Sequence, residues 1–347
     1  MSVAKTLSVQ SFRSHQQKTI NFHPNTTIII GKNGSGKTSL LEALYISLQG
    51  RSFKGNEEDI LKKGDVWWRA DTVLFDGTKQ SVSFTTELNS SNRNFIINDK
   101  KTKRLPTKNR CPIVLFEPND LLLLHGPPSK RRDHIDNIIS QIDIQYRTIL
   151  LRYEKALKQR NSLLKQGVED RSRYFPWEVV ISEYGASIIT RRERLIDKIN
   201  KEITKKYQKI AKNKDNITIE AQFSSKKDTT DKLLKEMEEN FHKDLLIKHT
   251  TKGPHRHDIN FLVNNSPAST TASRGEVRTI VLSLKFLEAE IIEEITNKKP
   301  IILLDDVFSE LDEQRQKNIL QSPYQTIITT TAVTDENIDN AKIIKIR

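Results

Sequence analysis

The sequence predicts an α/β fold in which a lobe built around a mixed sheet is interrupted by a mainly helical second lobe. Three observations predict it. A β-branched run, Thr26 to Ile30, leads into a glycine-rich loop and then into a helical pattern that stops at Gly50. Far along the chain, the apolar run from Ile301 to Leu304 ends in two aspartates, as a buried strand of an open sheet does. Between these segments, apolar residues from 135 to 210 keep helical spacing.

Composition and charge limit the classes of protein to which the chain can belong. Its 347 residues suffice for one large domain with an insertion, or for two domains. Lys and Arg number 57 against 44 Asp and Glu, and the resulting net charge of +13 favours a polyanionic partner, nucleic acid foremost. The single cysteine, Cys111, excludes a disulfide framework, and no stretch approaches the roughly 20 apolar residues that span a bilayer. We therefore expect a cytoplasmic protein with no membrane partner.

The first 125 residues are predicted to form strands around one helix. From Lys5 to Ile30 the apolar pattern is strand-like, and the helix after the glycine-rich loop continues to Leu48. Between Val66 and Ile97, short alternating runs are separated by turn residues, including the Asn/Ser cluster at 89–94, which predicts antiparallel hairpins. The run from Pro112 to Phe116 is typical of a buried strand.

A helical arm is predicted after the Gly126-Pro127-Pro128 turn. Asp143-Ile144 is expected to divide its first helical stretch in two, and a second stretch runs from Trp177 to about Ile210. A strand at 217–219 and one helix through 233–245 close the insertion. Sheet-forming patterns resume at 259, so we assign residues 1–125 and 248–347 to one domain, lobe I, and residues 126–247 to a helical insertion, lobe II.

The glycine-rich loop at 31–38 matches the pattern GxxxxGK[ST] between a strand and a helix. In that context the backbone N–H groups wrap phosphates, the lysine neutralises the β- and γ-phosphates, and the final hydroxyl ligates Mg²⁺. The expected ligands are therefore ATP and Mg²⁺. The residues expected to bind the nucleotide here are Gly31, Lys32, Asn33, Gly34, Ser35, Gly36, Lys37 and Thr38.

The two aspartates after the strand at 301–304 complete the predicted catalytic chemistry. Alone, a pair of acids at a strand end is more often an ordinary feature, but here they follow a buried strand whose carboxyl end lies beside the phosphate loop in an open sheet. Asp305 is expected to hold Mg²⁺ together with Thr38. Asp306 is expected to orient or deprotonate the attacking water, so Asp306 and Lys37 are the predicted catalytic residues.

A third motif is Ser273-Arg274-Gly275-Glu276, which opens a long helical pattern. A serine and a glycine at a helix N-terminus present a hydroxyl, a backbone N–H and a dipole to an anion, although in isolation they would usually be a helix cap. The acidic strand end follows some 30 residues later, and then Ser309-Glu310-Leu311-Asp312. This order indicates a P-loop ATPase lobe of the ABC/SMC type.

The ordered motifs resemble the RecF family, the ABC-type ATPases of bacterial recombinational gap repair, over nearly the whole chain. The segments from 118 to 185 carry the resemblance most specifically, because they lie outside the generic ATPase motifs. The features that match are GKNGSGKT (31–38), GRSFK (50–54), PNDLLLLHGPPSKRRDHID (118–136), LKQRNSLLK (157–165), PWEVVISEYG (176–185), GPHR (253–256), SRGE (273–276) and LLDDVFSELD (303–312).

The resemblance implies an ATP-dependent homodimer. Ser273 and Gly275 would cap the γ-phosphate held by the loop of the other protomer, Arg13 would lie near the phosphates, and residues 309–312 would join the two sites. It further implies binding to DNA at single-strand gaps or duplex junctions, RecR and RecO as partners, and support of RecA loading and the SOS response. Hydrolysis is expected to be slow, because glutamine is missing near 117–120, Thr329 to Thr331 stand in place of a histidine, and Asp306 replaces a glutamate.

Two questions stay open at the level of sequence. The ATPase could instead serve another process, such as transport or anti-phage defence, although the helical insertion and the charge disfavour a transporter. Basic residues on the predicted arm, at 130–132, 191–194 and 201–212, could line a DNA groove or simply form solvated helix faces. No base-reading motif occurs, so DNA binding is expected to be independent of base sequence.

Overall fold

The computed structural model describes residues 3–86, 92–222, 229–306, 308, 313–331 and 341–346. The chain divides into two compact units, one of residues 1–120 with 288–347 and one of residues 121–287. The first is mainly sheet and the second mainly helix, which confirms the predicted fold class. The predicted domain boundaries at 125/126 and 247/248 stay a prediction.

The N-terminal part of the first unit contains eight strands and one helix among the described residues. Gly50 adopts φ 76° and its N–H bonds Ile46 O, so the first helix ends at the glycine as predicted. The elements are β1 (Ala4–Phe12), β2 (His15–Asn21), β3 (Thr26–Ile30), α1 (Lys37–Gln49), β4 (Trp67–Leu74), β5 (Lys79–Thr85), β6 (Asn92–Ile97), β7 (Lys100–Thr102) and β8 (Ile113–Phe116). β6 begins inside the cluster assigned to a turn, because Asn92 to Asn94 pair with β5.

The second unit is built on a helical pair, with a small sheet beside it. The elements from Leu121 onward are α2 (Leu122–His125), α3 (Pro128–Ile142), α4 (Tyr146–Lys165), α5 (Phe175–Ala211), β9 (Ile217–Ala221), α6 (Thr229–Glu239), α7 (Phe241–Ile247), β10 (Ile259–Val263), β11 (Ser266–Pro267), α8 (Ala268–Thr271) and α9 (Arg274–Thr296). The unit boundary at 287/288 falls within α9. No helix in the described part of the chain is both long enough and apolar enough to cross a bilayer.

Two helix boundaries in this unit have local causes. The predicted division at Asp143 is confirmed, because its side chain accepts the N–H of Gln145 at 2.8 Å between α3 and α4. The single helix predicted through 233–245 is wrong. The helix is interrupted at Asn240, whose backbone leaves the helical region at φ −95° and ψ 7°, and whose side chain donates to Glu236 O at 2.7 Å.

The remaining elements complete the first unit: β12 (Ile301–Asp305), α10 (Glu313–Leu320), β13 (Thr326–Thr330) and β14 (Ala341–Lys345). The parallel sheet has the order β14-β3-β13-β12-β8, and the antiparallel sheet has the order β2-β1-β4-β5-β6-β7. Side chains of β12 and β13 are buried at every position, as expected for parallel strands covered on both faces. The carboxyl ends of β3, β13 and β12 therefore meet at one edge of the sheet.

Candidate functional site

The phosphate-loop residues 31–38 lie at the carboxyl end of β3, next to the end of β13. Thr330 pairs with Ile30 across the two strands, and Gly31 N–H bonds Thr330 O at 3.2 Å. The neighbouring pair, Asp305 and Thr329, joins β13 to β12 at the same edge. The sheet order thus brings the loop and the acidic strand end together.

The loop curls tightly because two of its glycines adopt left-handed conformations, Gly34 at φ 81° and Gly36 at φ 86°. A Cβ on Gly36 would lie 2.5 Å from Ser14 Oγ and would also collide with the His15 ring. A Cβ on Gly31 would meet Ser35 Oγ at 2.5 Å. The loop therefore requires glycine both for its backbone angles and for space.

Lys37 points back over the loop from the start of α1. Its Nζ donates to Gly31 O at 2.9 Å and to Lys32 O at 3.3 Å, and the side chain is only 3% exposed. Asp306 Oδ1 lies 3.5 Å from the same Nζ. The ammonium group is thus held inside the concave side of the loop, where it can face a bound phosphate.

Thr38 and Asp305 form the second part of the site. Thr38 Oγ1 donates to Asp305 Oδ1 at 2.8 Å, and Thr329 Oγ1 donates to the same oxygen at 2.9 Å. Burial raises the pKa of Asp305 above its usual value, while these two hydrogen bonds oppose the rise. Lys54 Nζ lies 3.9 Å from the other carboxylate oxygen. A hydroxyl and a carboxylate in this arrangement offer the oxygen ligands that Mg²⁺ prefers.

Asp306 adopts a left-handed backbone, φ 53°, just after β12. Its N–H is fixed by Thr329, at 3.2 Å from the carbonyl oxygen and 3.0 Å from the hydroxyl. Its Oδ1, like the buried hydroxyl of Ser35, has no hydrogen-bond partner among the described residues. Orphaned polar groups beside a glycine cradle and a buried ammonium fit a bound phosphate and its attacking water.

Arg13 lies in the turn between β1 and β2, where it binds Glu42 of α1. The Arg13 guanidinium donates to both carboxylate oxygens of Glu42, with Nη2 to Oε1 at 2.9 Å, and Nη1 donates to Asp59 O at 3.0 Å. The hydrogen bond to Glu42 raises the pKa of Arg13, against the effect of burial. Glu42 is fully buried, so this ion pair ties the turn to the helix that begins at the phosphate loop.

The second unit presents Ser273 at the N-terminus of α9. Ser273 N–H bonds Glu276 Oε2 at 2.7 Å, and Glu276 N–H bonds Ser273 Oγ at 3.3 Å, which is a capping box. Ser273 is exposed, and no atom of the described residues approaches a Cβ built on Gly275 within 4 Å. Residues 309–312, expected to join two sites, lie outside the described residues.

Known proteins match this chain over most of its length. The model of the family described as AAA domain matches residues 6–342. The protein "DNA replication and repair protein RecF" of Natranaerobius thermophilus is 34% identical, and the match covers 96% of this chain and 92% of the relative. The protein of the same description from Streptococcus suis is 35% identical, over 94% of this chain and 92% of the relative. The chain belongs to the RecF family.

Solved structures agree with this RecF assignment. A structure described as the recombination mediator protein RecF with ATP in the RecFOR pathway matches with a TM-score of 0.87 and 30% identity, over 99% of this chain and 95% of that one. An SMC head domain from Pyrococcus furiosus matches with a TM-score of 0.52 at 16% identity, over 96% of this chain and 90% of that one, which supports the fold alone. The recognition of the family from its motifs is thus confirmed.

Four residues at this RecF-family site were missed from the sequence: His15, Glu42, Lys54 and Thr329. His15 Nε2 contacts Gly36 O at 3.0 Å, and Glu42 holds Arg13. His15 stands two residues after Arg13 in the SFRSH segment, and Lys54 ends the GRSFK motif. Proximity to these motifs was therefore the signal by which both residues could have been found. No pattern in the sequence singled out Glu42. Thr329 was noted only because threonine stands there in place of the histidine common in ABC ATPases.

Proposed function

We propose that this chain is an ATP-dependent DNA-binding protein of DNA replication and recombinational repair, which closes as a homodimer when it binds ATP. The observation that carries the proposal is the contact of Thr38 with Asp305 at the edge where Lys37 faces Asp306. RecF relatives with "DNA replication and repair" in their names support the biological process. The alternatives, transport and anti-phage defence, are not favoured by any of these relatives.

The residues at the sheet edge have separate tasks in the proposed ATP site. Gly31 to Gly36 would offer backbone N–H groups to the phosphates, and Lys37 would neutralise them from inside the loop. Thr38 and Asp305 would hold Mg²⁺, which neutralises phosphate charge when it is bound. Thr329 would keep Asp305 oriented, since it donates to the carboxylate oxygen that also meets Thr38.

Asp306 is the proposed group that accepts a proton from water. Its Oδ1 has no hydrogen bond from the described residues, and its backbone is fixed twice by Thr329. Lys37 Nζ lies 3.5 Å from the same oxygen, so this lysine competes with a bound water for the carboxylate. Together with the short reach of aspartate, this competition suits slow hydrolysis, in which ATP acts as a switch rather than as a substrate for rapid turnover.

The ATP site is proposed to be completed by a second copy of the chain. Ser273 and Gly275 stand at an exposed helix N-terminus, a feature that offers a hydroxyl and N–H groups to an anion. In the proposed dimer they would contact the γ-phosphate held by the partner's loop. Arg13 is proposed to lie near the phosphates, and its pairing with Glu42 would couple the β1–β2 turn to α1.

The proposed partners of the dimer are DNA, RecR and RecO. The net charge of +13 supports DNA through neutralisation of its phosphates, and a RecF relative described in the RecFOR pathway supports the two proteins. Binding would be directed to single-strand gaps and duplex junctions and would promote RecA loading and the SOS response. The single cysteine supports the cytoplasm as the compartment.

The decisive experiment measures dimer mass and DNA affinity over a range of salt concentrations, with and without ATP. We expect wild type to dimerise and to bind DNA more tightly with ATP. Ser273→Arg should still bind ATP but stay monomeric, because a long cation would occupy the place of the γ-phosphate. The same substitution at Ser162, an exposed serine on α4, is the matched control and should dimerise normally. Dimers that form without ATP in all three proteins would refute the composite site.

A further inference from the structure

A continuous line of positive charge runs along the C-terminal half of α5. Its members are separated by four, three, four, four and three residues, the spacings that place side chains on one face of a helix. We define the basic stripe as Arg194, Lys198, Lys201, Lys205, Lys209 and Lys212. The last of these is the residue that ends the helix, with φ 54°. At about 1.5 Å per residue the basic stripe is about 27 Å long.

The basic stripe occupies the face of α5 that points away from the protein interior. Ile199, Ile203, Tyr207 and Ile210 are buried on the opposite face, where they anchor the helix. Arg194, Lys201, Lys205 and Lys209 are exposed. The acids next to them in sequence, Glu193, Asp197 and Glu202, fall to either side of the line at 100° per residue. A solvated helix face commonly mixes both signs of charge, whereas this line carries only cations.

Several arginines elsewhere in this unit are paired with carboxylates. The arginines that serve its architecture have carboxylate partners: Arg131 with Asp258, Arg160 with Glu178 and Asp244, Arg191 with Asp143, and Arg192 with Asp136. For Arg194, Lys201, Lys205 and Lys209, by contrast, no ion pair or hydrogen bond is found with any described residue. These four side chains therefore contribute charge without contributing to the packing or the internal ion pairs of the unit.

We propose that the basic stripe binds the phosphate backbone of duplex DNA. The proposal rests on the proposed function and locates one DNA-contacting surface for it. Successive cations rise by about 4.5 to 6 Å along the helix, so several can approach phosphates of one strand at once. Lysine predominates over arginine, and lysine binds phosphate as a point charge without the bidentate geometry of arginine. The basic stripe therefore serves affinity and orientation rather than recognition of base sequence.

The test uses two variants of the full chain with equal loss of charge. The stripe variant carries Arg194→Gln, Lys201→Gln, Lys205→Gln and Lys209→Gln, and glutamine keeps a helix propensity close to that of lysine. The control variant carries Lys155→Gln, Lys158→Gln, Lys235→Gln and Lys243→Gln, which removes four exposed lysines from α4, α6 and α7. Binding of fluorescent gapped duplex DNA is measured with ATP at several salt concentrations. Circular dichroism and ATP affinity verify that both variants are folded and competent.

We expect the stripe variant to bind DNA at least about tenfold more weakly than the control variant. The slope of log affinity against log salt concentration should be shallower by about 3.6 if all four cations contact phosphate, since each lost contact removes about 0.9 from the slope. A stripe variant that binds DNA as tightly as the control variant, with the same salt slope, would show that the basic stripe does not bind DNA. That result would leave the proposed function standing. A wild type that binds no DNA with ATP would overturn both.

Discussion

Thr38 Oγ1 donates a hydrogen bond of 2.8 Å to Asp305 Oδ1 across 267 residues of chain. This contact joins the first turn of α1 to the end of β12, and the same carboxylate oxygen accepts a second hydrogen bond from Thr329. Asp305 is therefore fixed before any ligand arrives. A site whose oxygen ligands are already oriented loses less conformational entropy when the metal and nucleotide bind.

Replacement of Thr38 by valine keeps the shape of the side chain and removes its hydroxyl. We expect ATP affinity in EDTA to change little and the gain in affinity produced by Mg²⁺ to fall by about tenfold or more, because one proposed metal ligand is lost. Nucleotide titrations with and without Mg²⁺ measure this difference. Thr38→Ser restores the hydroxyl and should restore the gain; equal Mg²⁺ dependence in Thr38→Val and wild type would remove Thr38 from the metal site.

Lys37→Ala should weaken nucleotide binding by about 100-fold, since charge-assisted hydrogen bonds to phosphate contribute about 1.5 to 3 kcal/mol. Lys32→Ala is the matched control in the same loop, because Lys32 is exposed and only its carbonyl contacts Lys37. Its effect should stay within about threefold. Equilibrium binding of a fluorescent nucleotide compares the two, and an unchanged affinity in Lys37→Ala would exclude the loop as the phosphate site.

Gly36 and Gly34 have similar backbone angles but different surroundings, so alanine should affect them unequally. Gly34→Ala meets no atom within 4 Å, and we expect only the penalty of a left-handed alanine, about 1 kcal/mol. Gly36→Ala adds a collision with Ser14 and His15 and should distort the loop. The prediction is a lower melting temperature and weaker ATP binding for Gly36→Ala than for Gly34→Ala. Equal effects would mean that the β1–β2 turn moves away freely.

The ion pair between Arg13 and Glu42 predicts a stability effect that is separate from nucleotide binding. Among the described residues, Arg13→Ala leaves the fully buried carboxylate of Glu42 with Ser52 as its hydrogen-bond partner, which should lower the free energy of unfolding by about 2 kcal/mol. Replacing both residues, as Arg13→Met with Glu42→Leu, should recover part of this loss. Denaturant unfolding without nucleotide measures the free energy of unfolding of both variants. An Arg13→Ala variant as stable as wild type would contradict the structural role of the pair.

We expect the protein to be less stable in mild acid, because His255 and His257 have lowered pKa values. Burial is the main cause that lowers the pKa of each to about 4, from the ordinary value of 6.5. Between pH 6.5 and 4 the unfolded chain therefore binds more protons than the folded one. The stabilisation is complete above pH 6.5 and is lost as the pH falls to 4, by about 3 kcal/mol for His255, at about 1.4 kcal/mol per pKa unit. The free energy of unfolding, measured at pH 7, 6 and 5, should decline with pH. The decline should be shallower in His255→Gln, because glutamine takes up no proton.

Local patterns in the sequence were sufficient for the fold class and most element boundaries. The strand at 26–30 and the helix that ends at Gly50 are determined by neighbouring residues, through β-branched side chains and a left-handed glycine. The boundary at Asn240 was missed because apolar spacing continues through it, whereas the backbone of the asparagine leaves the helical region at φ −95° and ψ 7°. Periodicity describes which face is apolar and does not detect such a local change of backbone angles.

The sequence by itself determined that a glycine-rich loop, Gly31 to Thr38, joins a strand to a helix and that Asp305 and Asp306 stand at the end of a buried strand, because both features are local. Only the tertiary structure decided which side chains these residues meet. Thr329 reaches Asp305 because β13 lies between β3 and β12 in the sheet, and Glu42 reaches Arg13 because α1 packs beside the β1–β2 turn. Contacts between distant residues depend on strand order and helix packing, which arise from the burial of the whole core rather than from any one segment.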